Sequence, residues 1–272
     1  MSGTCGAFAA RSGYVLSVPR LDELLARNLG ISKTAARRLC EAERVRAADG
    51  TPLVDFRQPW PAASAGAVLV DGATLPLFER ALVMLHKPVG VVTALRDARH
   101  ATAYALLRGA PLFPELRPVG RLDLDSSGLL LWATEGAVIQ RLTHPKHRVP
   151  RTYEAVLARP VDVPAPRALD LRLADGHRPE ILDLRALPPG GGHPAIAKAA
   201  AAGAGRDSVV TITLVGGAYH EVRRIFAALG SHVLVLCRTR FGPYALPPDL
   251  PPGAWRPLTD PDQKPEPTAA TK

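Results

Sequence analysis

Arg121-Leu122-Asp123-Leu124-Asp125-Ser126-Ser127-Gly128-Leu129-Leu130 sets two carboxylates and an arginine directly before an apolar run that continues through Leu131-Trp132. Ser126-Ser127-Gly128 suits a tight turn into a buried strand. A carboxylate beside such a strand loses hydration and must be paired, neutralised or used. Arg121 is a nearby candidate partner. The plainest reading is a charged turn entering a strand. A calcium loop is a second one, because Asp123, Asp125, Ser127 and Gly128 fall on the first ligand positions and the glycine of an EF-hand. That loop needs Glu at its last ligand position, which here is Thr134, so the calcium reading fails.

The rest of the chain bounds what such a site can serve. Its 272 residues suffice for one large domain, or for a small domain and a larger one. A net charge of +9 favours polyanionic partners, nucleic acid before an anionic membrane. Cys5, Cys40 and Cys237 lie far apart with no CxxC pair, which argues against a disulfide framework or a cysteine-rich zinc site. The first twenty residues lack a signal-peptide core, and no apolar run approaches a membrane span. The expectation is a soluble cytoplasmic protein with no membrane association.

The periodicity predicts two folded regions between flexible ends. Residues 1–18 read as a flexible N-terminus and residues 260–272 as a disordered tail. Residues 19–77 read as a small domain. Leu21, Leu24, Leu25 and Leu29 share a helical face that Gly30 ends, and Ser32 caps a second helix through about Glu43. Lys33, Arg37 and Arg38 lie on that helix, with Arg44 and Arg46 beyond it. A strand near Val45 and a hairpin at Asp71-Gly72 follow.

Residues 78–259 read as the larger domain. Ala81–Leu85 is a strand, broken at Lys87-Pro88-Val89-Gly90 and resumed at Val91-Val92-Thr93. Gly136–Leu142 suits a helix and Thr152–Leu157 a strand. Residues 190–205 read as a loop, and Val209–Val215 as a half-buried strand. A helix over Tyr219–Leu229 closes at Gly230, before an apolar strand at His232–Leu236. Without regular βαβ alternation, the fold class is α+β with a mixed, largely antiparallel sheet flanked by helices.

Four separate segments resemble one family. Gly120–Leu131, GRLDLDSSGLLL, is similar to the GRLDxxTxGL signature of the pseudouridine synthases. Leu85–Gly90, LHKPVG, resembles the family's LxKPxG motif. HPKHRVPRTYEAVL and GGAYHEVRRIFAALGSHVLVLCRTRFG match in order and spacing. The N-terminal RLDELLARNLGISKTAARRLCEAERV resembles the S4 RNA-binding domain. The chain as a whole is similar to bacterial ribosomal RNA pseudouridine synthases of the RsuA/RluB/RluE/RluF family, most like the RsuA branch, which acts on 16S rRNA.

That resemblance implies an isomerase. The N1–C1′ bond of uridine is cut, the uracil rotates and a C5–C1′ bond forms, without cofactor or metal. Asp123 matches the catalytic aspartate of the RLD signature, and whether it attacks the sugar or the base stays open. Arg223 matches the basic residue that pairs with this aspartate, with a helix-surface charge as the alternative. Tyr153 matches the tyrosine that stacks on the flipped base, with a core aromatic as the alternative. Arg121, Leu122 and Leu236 fall at the base pocket. Arg151 stands where Lys is usual, Glu221 where Gln is usual and Cys237 where His is usual. Extruding a base from folded RNA costs a few kcal/mol that phosphate contacts must offset. Lys33, Arg37, Arg38, Lys146, Arg148, Arg151 and Arg224 are candidates for those contacts, with a solvated basic surface as the alternative. His144 and His147 lack a local third ligand for zinc.

The expected partner is ribosomal RNA, in a pre-ribosomal particle or partly assembled small subunit, and the expected state is a monomer. A 23S rRNA synthase of the same family, or a non-catalytic assembly factor on the same fold, are the alternatives. Retention of Asp123, Tyr153 and Arg223 together favours an enzyme over a non-catalytic factor.

Overall fold

A computed structural model describes residues 18–60, 67–162, 171–202 and 208–258 of the chain. The expected C-terminal tail, all but the last residue of the expected flexible N-terminus, and Cys5 lie outside those residues. The chain divides into two compact units, Met1–Glu79 and Arg80–Lys272. None of the described helices is long and apolar enough to cross a membrane.

In the first unit, helix α1 (Leu21–Leu29) buries Leu21, Leu24 and Leu25 and stops at Gly30, whose φ of 66° admits glycine readily. Ser32 Oγ accepts from the Ala35 amide and opens α2 (Lys33–Glu41), two residues shorter than the sequence pattern predicts. Strands β1 (Val45–Arg46), β2 (Ala67–Val70) and β3 (Ala73–Pro76) form an antiparallel sheet in that order. Asp71 and Gly72 both have positive φ, the backbone a two-residue hairpin needs. Ala36, Cys40, Val45, Val68 and Leu77 complete the core with the α1 leucines.

The second unit holds β4 (Leu82–Lys87), β5 (Arg117–Val119), β6 (Ser127–Ala133), α3 (Gly136–Thr143), β7 (Pro150–Leu157) and β8 (Glu180–Ala186). After them come α4 (Pro194–Ala202), β9 (Val209–Val215), α5 (Glu221–Ala228), β10 (Val233–Phe241), β11 (Tyr244–Ala245) and β12 (Trp255–Pro257). The sheet runs β12-β4-β6-β10-β7-β9-β8, with β5 on β6 and β11 on β10. Its pairings are antiparallel except β6 with β10. Alternating residues feed two cores. Val156, Val209 and Cys237 pack toward Ile196 and Ala200 of α4. Ala155, Val210 and Leu236 pack toward Val222, Ile225 and Phe226 of α5.

Several local expectations change. Val91-Val92-Thr93 does not resume a strand, since only Val92 bridges Thr102. Residues 190–205 are not a loop throughout, because α4 lies within them. Its alanine run favours helix, and Ile196 and Ala200 sit one turn apart on the buried face. Residues 203–205 of that segment lie outside the described residues. Strand β9 is buried along most of its length, Thr211 included, because α4 and α5 cover opposite faces of the sheet. Strand β8, which the apolar pattern did not announce, is an edge strand with a single buried residue.

Candidate active site

The β5–β6 loop carries Asp123, and its backbone is fixed from beneath. Thr93 Oγ1 accepts from the Leu122 amide (3.1 Å) and donates to the Leu122 carbonyl (2.8 Å). The Gly90 amide donates to the Leu124 carbonyl at 2.8 Å, and the Ser126 amide to the Asp123 carbonyl at 3.1 Å. Lys87 Nζ, fully buried, donates to the carbonyls of Ser126 (2.7 Å) and Pro88 (2.8 Å). Gly128 sits opposite Arg238 in the parallel pair, with φ of 112°. A Cβ there would strike the Arg238 backbone, so only glycine lets the two strands meet. The KPVG segment is thus the brace of the loop that presents Asp123.

Above this brace lies a cavity of about 440 Å³. Asp123, Arg151, Tyr153, Arg223, Leu236 and Arg238 line it, with Arg121, Leu122 and the Gly217–Val222 turn. Tyr153 lies directly across from Arg238 between β7 and β10, while Leu236 lies across from Ala155. Arg151 and Tyr153 alternate on one strand, so both face the cavity. Arg151 and Arg238 both lie over the Phe241 ring, each 4.9 Å from its centre. Arg238 is buried and donates to the carbonyls of Leu129 (2.9 Å) and Arg121 (3.4 Å). Its Nη2 is buried with no hydrogen-bond partner among the described residues.

The electrostatics follow from this burial. Desolvation pushes the Lys87 ammonium down to about 8, against the pull of Asp123 and Asp125, and lowers Arg151 as well. Asp123 is 35% exposed, and its Oδ2 lies 3.7 Å from His220 Nε2. Arg223 pairs with Asp125 rather than Asp123: its Nη2 is 2.9 Å from Asp125 Oδ2 and 3.2 Å from the Asp125 carbonyl. Its Nη1 donates to the Val233 carbonyl at 3.0 Å. Glu221 does not compete for Arg223, because it accepts from the Ala218 amide (3.1 Å) and meets His177 Nε2 at 2.7 Å. Cys237 is buried in the core, with its thiol pushed up to about 11 by burial.

The basic residues expected on RNA are dispersed. Arg151 is in the cavity wall, not on a solvated loop. Arg148 forms an ion pair with Glu180, and Arg224 with Asp175. Lys146 lies on the exposed turn Pro145–His147. In the first unit, Lys33 pairs with Glu23 (2.7 Å) and Arg37 with the buried Asp22 (2.8 Å), while Arg38 is exposed. Lys33 and Arg37 are therefore partly neutralised, because the acidic first turn of α1 lies against α2. Sequence reasoning missed Lys87, Arg238 and His220. For Lys87 the signal was a lysine ending an apolar strand, and for Arg238 its strand alternation with Leu236.

A family model described as RNA pseudouridylate synthase matches residues 81–228. The chain is 33% identical over 249 residues to the ribosomal small subunit pseudouridine synthase A of Escherichia coli (strain K12), over 89% of this chain and 96% of that protein. It is 32% identical over 245 residues to the uncharacterized RNA pseudouridine synthase YtzG of Bacillus subtilis (strain 168), over 89% of this chain and 95% of that protein. A crystal structure of a pseudouridylate synthase resembles it with a TM-score of 0.51 at 29% identity, over 88% of this chain and 96% of the other.

Proposed function

The chain belongs to the RNA pseudouridylate synthase family, and from that premise we propose that it isomerises a uridine of ribosomal RNA, in the 16S RNA of the small subunit. The observation that carries this reading is the convergence of Asp123, Tyr153, Arg223 and Leu236, from three strands or loops and one helix, on one cavity. Asp123 is the nucleophilic or charge-stabilising carboxylate. Tyr153 packs on the extruded uracil, Leu236 supplies the apolar floor, and Arg151 and Arg238 offset the negative charge of the site. Arg223 supports the catalytic loop through Asp125. The chemistry is redox-neutral, and protein side chains supply all of it.

The first unit is an S4-like RNA-binding module, with Arg38 among its outward cations, while the exposed Arg44 and Arg46 pair with Asp71 and Glu43. Lys146 and Arg224 hold the backbone flanking the target. The substrate is the RNA of a partly assembled small subunit, met in the cytoplasm by a monomer. Mapping pseudouridines in ribosomal RNA from cells with and without the protein tests this. The expected result is the loss of one pseudouridine from 16S rRNA. Loss from 23S rRNA would move the substrate, and no loss would overturn the reading.

A further inference from the structure

Tyr219 is the most exposed of the described large hydrophobic side chains, at 76%, yet it stands at the rim of the Asp123 cavity. One face of its ring is already occupied. It stacks on His220 with centroids 4.0 Å apart and planes 15° from parallel. His220 is held in a left-handed conformation at the start of α5, with its Nε2 3.7 Å from Asp123 Oδ2. The second unit thus presents a two-ring stack whose inner end meets the carboxylate and whose outer face meets solvent. Covering the free face of this ring would gain apolar burial that the fold itself leaves unused.

We propose that Tyr219 is a stacking platform for a nucleobase adjacent to the uridine in the cavity, an inference that rests on the RNA-modifying reading above. Extruding a uridine leaves its neighbours without one stacking partner. An aromatic ring at the cavity rim replaces that partner for any base, because every base has a π face. Two cations lie close by: Arg224 Nη1 donates to the Tyr219 carbonyl at 3.3 Å while its Nη2 pairs with Asp175, and Arg151 lines the same cavity. The free face of the ring offers room for one base beside the target, the nucleotide next to the extruded uridine.

The test uses the full chain and a short single-stranded RNA with 2-aminopurine on both sides of one uridine. Wild type and Tyr219→Phe are expected to quench the fluorescence. Tyr219→Ala and Tyr219→Leu should bind about ten-fold more weakly without that quench. On unmodified 16S rRNA the same two variants should raise KM, while Tyr219→Phe restores it. Equal affinity and quenching in wild type and Tyr219→Ala would overturn the platform. So would a Tyr219→Ala loss confined to kcat, which would mean that the ring only positions His220. Failure of wild type to release tritium from 5-tritiated uridine in that rRNA would instead count against the functional reading, and the quenching arm would still report on the platform.

Discussion

Arg223 meets the carboxylate of Asp125 at 2.9 Å and the Asp125 carbonyl at 3.2 Å, two residues along the chain from the carboxylate that lines the cavity. Asp125 is 58% exposed and Arg223 only 20%. An ion pair with one partner so exposed contributes little stability, at most about 1 kcal/mol. Its consequence is positional. Arg223 links the start of α5 to the first residue of β10, through the Val233 carbonyl, and to the turn that follows Asp123.

Arg223→Ala should therefore cost roughly a hundred-fold in the single-turnover rate at saturating RNA, since it releases the turn that carries Asp123 and removes a cation from the cavity. Arg224→Ala, whose guanidinium pairs outside with Asp175, should mainly raise the RNA concentration required. Adjacent helical residues point about 100° apart, which is why the two differ. Equal rate losses would contradict the assignment. Asp125→Asn should reproduce part of the Arg223 defect, and additive losses in the double variant would break the proposed link.

Gly128→Ala should destabilise the second unit by about 3 kcal/mol or more, read as a lower urea midpoint. The positive φ disfavours any side chain, and the added methyl meets the Arg238 backbone rather than a flexible side chain. A midpoint within error of wild type would mean that β6 and β10 are not paired as described.

Lys87 predicts a pH dependence. Its folded ammonium is depressed to about 8 from an ordinary value of 10.5, so between those values the unfolded chain binds more protons. Stability attributable to this group must then rise with pH across that window. Compared with Lys87→Met, wild type should gain about 2 kcal/mol of unfolding free energy between pH 7 and 10. A constant difference between the two proteins would show that Lys87 is not desolvated.

The sequence carried the Asp123 turn, Tyr153 and Leu236 to the cavity because strand alternation and a short turn leave little choice of direction. Arg151 was legible by the same logic, two positions from Tyr153 on one strand, but its neighbours Lys146 and Arg148 drew it toward the basic loop. The partner of Arg223 was not legible. Asp123 and Asp125 are both within a guanidinium's reach, and only the turn closed by the Ser126 amide decides between them. Helix α4 was hidden because Gly190-Gly191-Gly192 and Gly203 flank its alanines. The pairing of Lys33 and Arg37 with Glu23 and Asp22 depends on how α1 packs on α2, which helical periodicity alone does not give.

Deleting residues 1–77 should weaken rRNA binding and flatten the dependence of affinity on salt, while the remaining unit keeps its cooperative unfolding. A truncated chain with unchanged affinity and salt slope would remove the first unit from the RNA interface.

The most direct test of the central claim is the single-turnover rate of Asp123→Asn on unmodified rRNA, alongside its thermal unfolding. The substitution keeps the size of the side chain and removes its charge. With the Leu122 and Leu124 backbone held by Thr93 and Gly90, the fold should persist, with Tm within about 3 °C of wild type. Pseudouridine formation should fall by at least about a thousand-fold. A folded Asp123→Asn protein that forms pseudouridine at near wild-type rate would contradict the account.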